Sequence, residues 1–178
     1  NHLIPDNFHI GINVNSDNIL DPEFEQQCVQ MLEQLGKEKI KLILELSERK
    51  KLQDTNEVHT IVDKLQKHNV LFALDDFGVE YSTFHYLQDY SVDFIKLDKS
   101  FIQQCESNKI SEAIVDSIAM LAKRLHIKVV AEGIETIEQA KAMKNKGIEY
   151  LQGYLFSPPV SGDVFIHKWI LSTEKRSN

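Results

Sequence analysis

Long hydrophobic runs are missing from this sequence. No stretch approaches the roughly 18 consecutive apolar residues of a membrane span, and the opening Asn1-His2-Leu3-Ile4-Pro5 lacks the layout of a signal peptide. Cysteine is scarce. Cys28 and Cys105 have neither metal-ligand spacing nor the density of a disulfide framework, so they predict free buried thiols in a reducing compartment. With seven glycines and four prolines, no Gly/Ser linker or low-complexity tract divides the 178 residues, which bounds the chain to one ordinary domain, two at most. The glycine-rich phosphate loops G-x-G-x-x-G and G-x-x-x-x-G-K-S/T do not occur. The seven histidines (2, 9, 59, 68, 85, 126 and 167) form no H-E-x-x-H or similar ligand spacing and read as surface or packing residues. Positive charge is outnumbered: 20 Lys and Arg against 27 Asp and Glu leave −7, which argues against a surface that coats nucleic-acid polymers. An acidic protein still binds a small phosphate ligand when a metal stands between them.

What is present is enough apolar material for a core, 42% hydrophobic against 26% charged residues. Short apolar runs recur: Ile10–Val14, Leu42–Leu46, Val70–Leu74, Val92–Leu97, Val129–Ala131 and Tyr150–Phe156. Their length and Ile/Val/Phe content predict buried parallel strands. Helical patterns lie between them. Asp21-Pro22 reads as an N-cap followed by proline at the first helical position, with Phe24, Cys28, Met31, Leu32 and Leu35 on one face and Gly36 as the stop. Val58, Ile61, Val62 and Leu65 repeat the pattern, with Asp54 and Glu57 as a capping pair and Asn69 at the exit. The strongest stripe is Ile110, Ala113, Ile114, Ser117, Ile118, Leu121 and Leu125; Thr136 and Gln139 make a capping box for a helix that stops at Gly147. The C-terminal stripe around Trp169 reads as core.

Strands alternating with helices predict an α/β fold with a parallel sheet. A doubly wound sheet would announce its ligand site by a glycine-rich first turn, which is lacking, whereas a (β/α) barrel sets its chemistry at the C-terminal ends of many strands. Asn13, Glu45, Asp75, Asp76, Lys96, Glu132 and Gln152 each fall within or at the end of an apolar run. Buried ionisable groups there are costly unless paired or bound to metal. The barrel is therefore the expectation, with a shortfall: six strands can be counted where a closed barrel has eight.

For any one of these residues, capping a strand or pairing with a neighbour is the ordinary explanation; for the whole set in this order it is not. Asn13, Glu45, Asp75, Asp76 and Glu132 are hard oxygen donors that suit Mg²⁺ or Mn²⁺. Adjacent aspartates in a strand point to opposite faces, but at a strand end the backbone turns and both reach one site. A carboxylate-bridged metal pair is the standard apparatus for phosphodiester hydrolysis, and Lys96 would orient water or stabilise developing charge. The run Glu48-Arg49-Lys50-Lys51 reads as a solvated loop.

The segments Leu44-Glu45-Leu46-Ser47-Glu48, Leu74-Asp75-Asp76-Phe77-Gly78, Ile95-Lys96-Leu97-Asp98, Val130-Ala131-Glu132-Gly133-Ile134-Glu135 and Gln152-Gly153-Tyr154-Leu155-Phe156, with Asn13 in Ile12-Asn13-Val14, closely resemble the EAL-domain family. The resemblance runs in order from about Ile10 to Pro159. It implies a TIM-like barrel, incomplete at the N-terminus, with residues 1–178 as the C-terminal three-quarters of one EAL domain. It also implies a metal-dependent cyclic di-GMP phosphodiesterase that yields linear pGpG.

By resemblance, Asn13, Glu45 and Asp75 are metal ligands and Asp76 serves a second metal. Lys96 matches the lysine near the attacking water, Glu132 a carboxylate that binds metal or accepts a proton, and Gln152 a glutamine of the water network. Glu48 resembles the glutamate that anchors the loop after Asp76, a loop tied to metal binding and dimer communication. The family also implies a homodimer, upstream sensory or GGDEF-type domains, and a cytoplasmic location, alone or as the output end of a membrane-anchored protein. Four departures stand out. The Glu-Ala-Leu segment belongs to a part of the family domain upstream of these residues. Glu80 replaces a usual second glycine, Asn15 a usual serine, and Pro158 a common basic residue. Two other functions stay open at this level: a non-catalytic cyclic di-GMP receptor or interaction module, and a barrel hydrolase for another phosphodiester.

Overall fold

The computed structural model describes residues 4, 6–36, 39–47, 56–79, 87–105 and 107–171. Six strands, β1 (Phe8–Val14), β2 (Ile40–Ser47), β3 (Leu71–Phe77), β4 (Phe94–Leu97), β5 (Lys128–Ala131) and β6 (Tyr150–Leu151), form one sheet in sequence order. Every neighbouring pair is parallel. A doubly wound sheet reverses its strand order at a switch point; this one never reverses, so it winds as a barrel does. The sheet curls far enough that His9 of β1 meets Tyr150 of β6, ring centroids 6.3 Å apart. The fold is thus an incomplete TIM-like barrel of six parallel strands with helices, as the sequence predicts.

Helices α1 (Ser16–Ile19), α2 (Phe24–Leu35), α3 (Asn56–Lys67), α4 (Lys99–Gln104), α5 (Lys109–Leu125), α6 (Ile137–Asn145) and α7 (Gly162–Phe165) connect the strands or follow them, and α7 runs on into a π-helical stretch, Ile166–Leu171. The alternation of strand side chains divides the interior in two. Leu42, Leu44 and Leu46, Phe72 and Leu74, Ile95 and Leu97, Val129 and Ala131 face the helices and join the main core with Cys28, Leu32, Val58, Val62, Leu65, Val115 and Ile118. The opposite, concave face carries a smaller cluster, Ile43, Ala73 and Phe94, backed by Leu71, Val130 and Tyr150. Both cysteines are buried and neither forms a disulfide. Among the described residues no helix is long and apolar enough to cross a membrane.

Several expected boundaries move. The Asp21-Pro22 start is two residues early, because Asp21 Oδ1 accepts from Glu23 N (2.8 Å) and so closes a turn ahead of α2. The last apolar run pairs only over Tyr150–Leu151 before turning away. Asp54 of the expected capping pair lies outside the described residues. The Thr136–Gln139 capping box forms in full, Gly36 ends α2 in the left-handed region at φ 90°, and Asn69 takes φ 63° after α3. The largest correction concerns α5. Of its apolar stripe Ile118 is buried, yet Ile110 is 72% exposed and Leu125 47%. The helix buries Ser111, Val115 and Ala122 together with Ile118, a face centred about a quarter turn from the middle of the stripe. Small and β-branched side chains on that face let the helix lie close to the sheet.

Candidate metal site

The concave face has layers. Its lower part holds His9, Lys41, Phe94, Lys128 and Tyr150; one or two pleats further along, the same faces of the same strands carry Asn13, Glu45, Asp75, Lys96, Glu132 and Gln152. Period-two alternation therefore directs these polar residues inward at the C-terminal end of the sheet, where a parallel barrel carries its chemistry. The apolar partners on the other face hold each strand in register.

Lys96 is the hub. Its side chain is only 8% exposed, and Nζ lies 2.7 Å from Glu45 Oε2, 2.8 Å from Glu132 Oε1 and 2.9 Å from Asp75 Oδ1. Burial alone would lower the pKa of this ammonium. Hydrogen bonds to Glu132 and Glu45, the charge of Glu132 and the contact with Asp75 outweigh burial and hold Lys96 above its ordinary value. Burial pushes Glu132 above the usual carboxylate value, Lys96 pulls it back, and the charges of Asp75 and Glu45 add to the rise.

Asp75 and Asp76 reach this centre together. The β3–β4 register shifts between Leu74 and Phe77, and Asp76 sits in the left-handed region at φ 56°. The local bulge cancels the alternation that would separate consecutive side chains. Carboxylate oxygens of Asp75, Asp76 and Glu132 consequently lie within 4.8 Å of one another. With Glu45 they set four carboxylates around the Lys96 ammonium. Asp75 Oδ1 is buried and close to Nζ but receives no properly directed hydrogen bond. A buried carboxylate oxygen in that condition, inside an excess of hard negative donors, fits a divalent cation.

Around this centre the strand ends are tied together. Glu132 N donates to Leu97 O (3.2 Å), Gln152 N to Ala131 O (2.9 Å) and Ile134 N to Gln152 O (3.0 Å). Gly133, directly after Glu132, takes φ 66°, and a side chain there would run into Lys99. Asp98 caps α4 by accepting from Ser100 N (2.9 Å), which fixes the chain just beyond Lys96. Asn13 pairs in register with Glu45 at the β1 edge, and Gln152 stands at the β6 edge. Both are exposed, and among the described residues neither side chain hydrogen-bonds into the Lys96 cluster. Glu48 and Glu80 lie outside the described residues, and Pro158 is exposed beyond β6. The sequence reading passed over Gly11. A β-carbon on it would fall on the Glu45 carboxylate, and an isolated glycine inside a strand pattern is the signal for such a close approach.

Comparison with known proteins agrees with this geometry. The EAL domain family matches residues 2–159. Cyclic di-GMP phosphodiesterase PdeL of Escherichia coli K12 is 52% identical over 170 residues, 96% of this chain and 47% of that protein. The EAL enzyme Bd1971, in its cAMP- and cyclic-di-GMP-bound form, superposes with a TM-score of 0.81 at 31% identity, over 90% of this chain and 42% of that one. BlrP1 of Klebsiella pneumoniae, as a manganese and cyclic di-GMP complex, gives 0.75 at 27% identity, over 85% and 39%. The chain spans about half the length of the curated relatives it matches.

Proposed function

Because this chain belongs to the EAL domain family, we propose that the complete protein is a metal-dependent phosphodiesterase that opens cyclic di-GMP to linear pGpG. The observation that carries the reading is the acidic face: Glu45, Asp75 and Glu132 held on Lys96, Asp76 beside them, and a buried Asp75 oxygen without a directed donor. The name of PdeL supports the substrate, and the manganese complex of BlrP1 supports the class of metal.

Asn13, Glu45, Asp75, Asp76 and Glu132 would hold two Mg²⁺ or Mn²⁺ ions, which when bound supply an activated water and shield the phosphate from the acidic protein. To Lys96 we assign the orientation of that water and the stabilisation of charge growing on the phosphate oxygens. Glu132, with its raised pKa, is the proton acceptor near it, and Gln152 helps to hold the water from the β6 edge. Glu48 anchors the loop after Asp76. In the overall reaction the oxygen of water stays on phosphorus, one P–O3′ bond breaks, and a proton ends on the leaving 3′ oxygen.

The same reading makes residues 1–178 the C-terminal three-quarters of an EAL domain that lies in the cytoplasm, with sensory or GGDEF-type domains upstream. It also makes the protein a homodimer. Support for the dimer is the outward stripe of α5. Ile110 and Ile114 stand two turns and one turn before Ile118, which lies close to Gly78, and Val79 beside it is 44% exposed. A second copy would cover this apolar line.

The test incubates the complete protein with cyclic di-GMP and Mg²⁺ or Mn²⁺ beside Asp75→Asn, and resolves the products by chromatography. Formation of pGpG by the parent but not by Asp75→Asn is the expected result. Binding without cleavage would make the domain a receptor and sink the catalytic assignments.

A further inference from the structure

Gly11 occupies the middle of β1, opposite Ile43, on the same concave face as His9 and Asn13. Its backbone is not left-handed, so conformational freedom does not account for it. Inside a strand, glycine is destabilising relative to alanine. Space accounts for it. A β-carbon built on Gly11 would clash with Glu45 Oε1 and come within 3.0 Å of Cδ and 3.6 Å of Cγ. The other oxygen of the same carboxylate, Oε2, accepts from Lys96 Nζ at 2.7 Å. The Glu45 carboxylate thus lies in a slot with the bare Gly11 backbone on one side and Lys96 on the other.

We propose that Gly11 is a positioning residue, whose missing side chain lets Glu45 fold across β1 and present its carboxylate to Lys96 and to the metal centre. The metal part of this inference rests on the function proposed above; the Glu45 conformation does not. The obstructed atoms are the far end of a flexible side chain, not backbone. A methyl group at Gly11 is therefore accommodated by rotation of Glu45, and the effect falls on the site more than on the fold.

The test uses the complete protein with Gly11→Ala, Glu45→Asp, the double variant, and Gly162→Ala as a control whose added methyl meets open space. In metal-free protein the ¹³C resonance of the Glu45 side-chain carboxyl reports its surroundings directly. That signal is expected to move in Gly11→Ala and to stay in Gly162→Ala, with the thermal midpoints of both near the parent. Mn²⁺ affinity is expected to fall about tenfold or more in Gly11→Ala, and to recover in part when Glu45→Asp shortens the crowded side chain. An unmoved Glu45 signal overturns the proposal, and so does a double variant whose losses simply add. If the parent itself binds no Mn²⁺, the proposed function fails, while the resonance still decides the role of Gly11.

Discussion

Asp75 and Asp76 are neighbours in the chain, yet their carboxylates share one site, because the strand bulges between Leu74 and Phe77 and Asp76 turns left-handed at φ 56°. Side chains one residue apart on a regular strand point to opposite faces. Here the second aspartate is brought back to the first by a backbone state that costs a non-glycine residue about 1–2 kcal/mol.

That relationship separates folding from function at Asp76. Asp76→Gly relieves the left-handed penalty, so it should raise or preserve the thermal midpoint while Mn²⁺ affinity and cyclic di-GMP turnover fall. Asp76→Asn keeps a residue that tolerates the conformation and removes the charge, so its midpoint should stay near the parent with the same loss at the site. A glycine variant that is markedly less stable would show that Asp76 serves the fold before the metal.

Lys96→Met addresses the hub. Removing the ammonium leaves the carboxylates of Glu45, Asp75 and Glu132, all under 20% exposed, facing one another. Breaking a buried charge pair costs about 3–5 kcal/mol. The pKa of Lys96 is raised above its ordinary 10.5, so its contribution is fully present below that value and is lost only as pH rises through the folded-state pKa. At pH 7 the whole penalty should appear in urea unfolding of metal-free protein. Mn²⁺ should restore part of it, since a cation again stands among the carboxylates. A variant as stable as the parent without metal would mean that Lys96 does not neutralise this cluster.

The parallel barrel class and the placement of the polar set were legible because near-continuous apolar runs such as Leu42–Leu46 mark buried parallel strands and the polar residues fall within or at the ends of those runs. Three features were not. The bulge at Asp76 depends on how β3 pairs with β4, a long-range fact without a local residue signature. The space at Gly11 depends on which rotamer Glu45 takes. The buried face of α5 could not be chosen from its own pattern, since Ile110 and Ile114 are as apolar as Val115 and Ile118. Only packing against the sheet decides between them.

That exposed side of α5 makes a direct prediction. Ile110→Asp and Ile114→Asp change residues that are 72% and 36% exposed in the single chain, so each should shift stability by no more than about 0.5 kcal/mol. In the complete protein the pair should nevertheless convert a dimer to a monomer, read as a halved mass by light scattering, with unchanged circular dichroism. A parent that is already monomeric, or a variant that remains dimeric, would remove α5 from the interface.

His9 gives the fold a pH dependence of defined sign. Its ring packs edge-on against Phe94, centroids 5.6 Å apart, and against Tyr150 at 6.3 Å. Burial first, then the charges of Lys128 and Lys41, hold its pKa below the ordinary 6.5. The folded protein keeps the imidazole neutral where the unfolded chain already takes up a proton. The stabilisation is therefore present above pH 6.5 and is lost as pH falls from 6.5 through the lower folded-state value. Thermal midpoints recorded between about pH 7.5 and pH 5 should fall more steeply for the parent than for His9→Gln, which keeps a polar side chain but cannot titrate. Carboxylates elsewhere contribute to both curves alike, so the difference between the two slopes isolates His9. Parallel curves would mean that the ring takes up its proton as readily in the folded protein as in the unfolded chain.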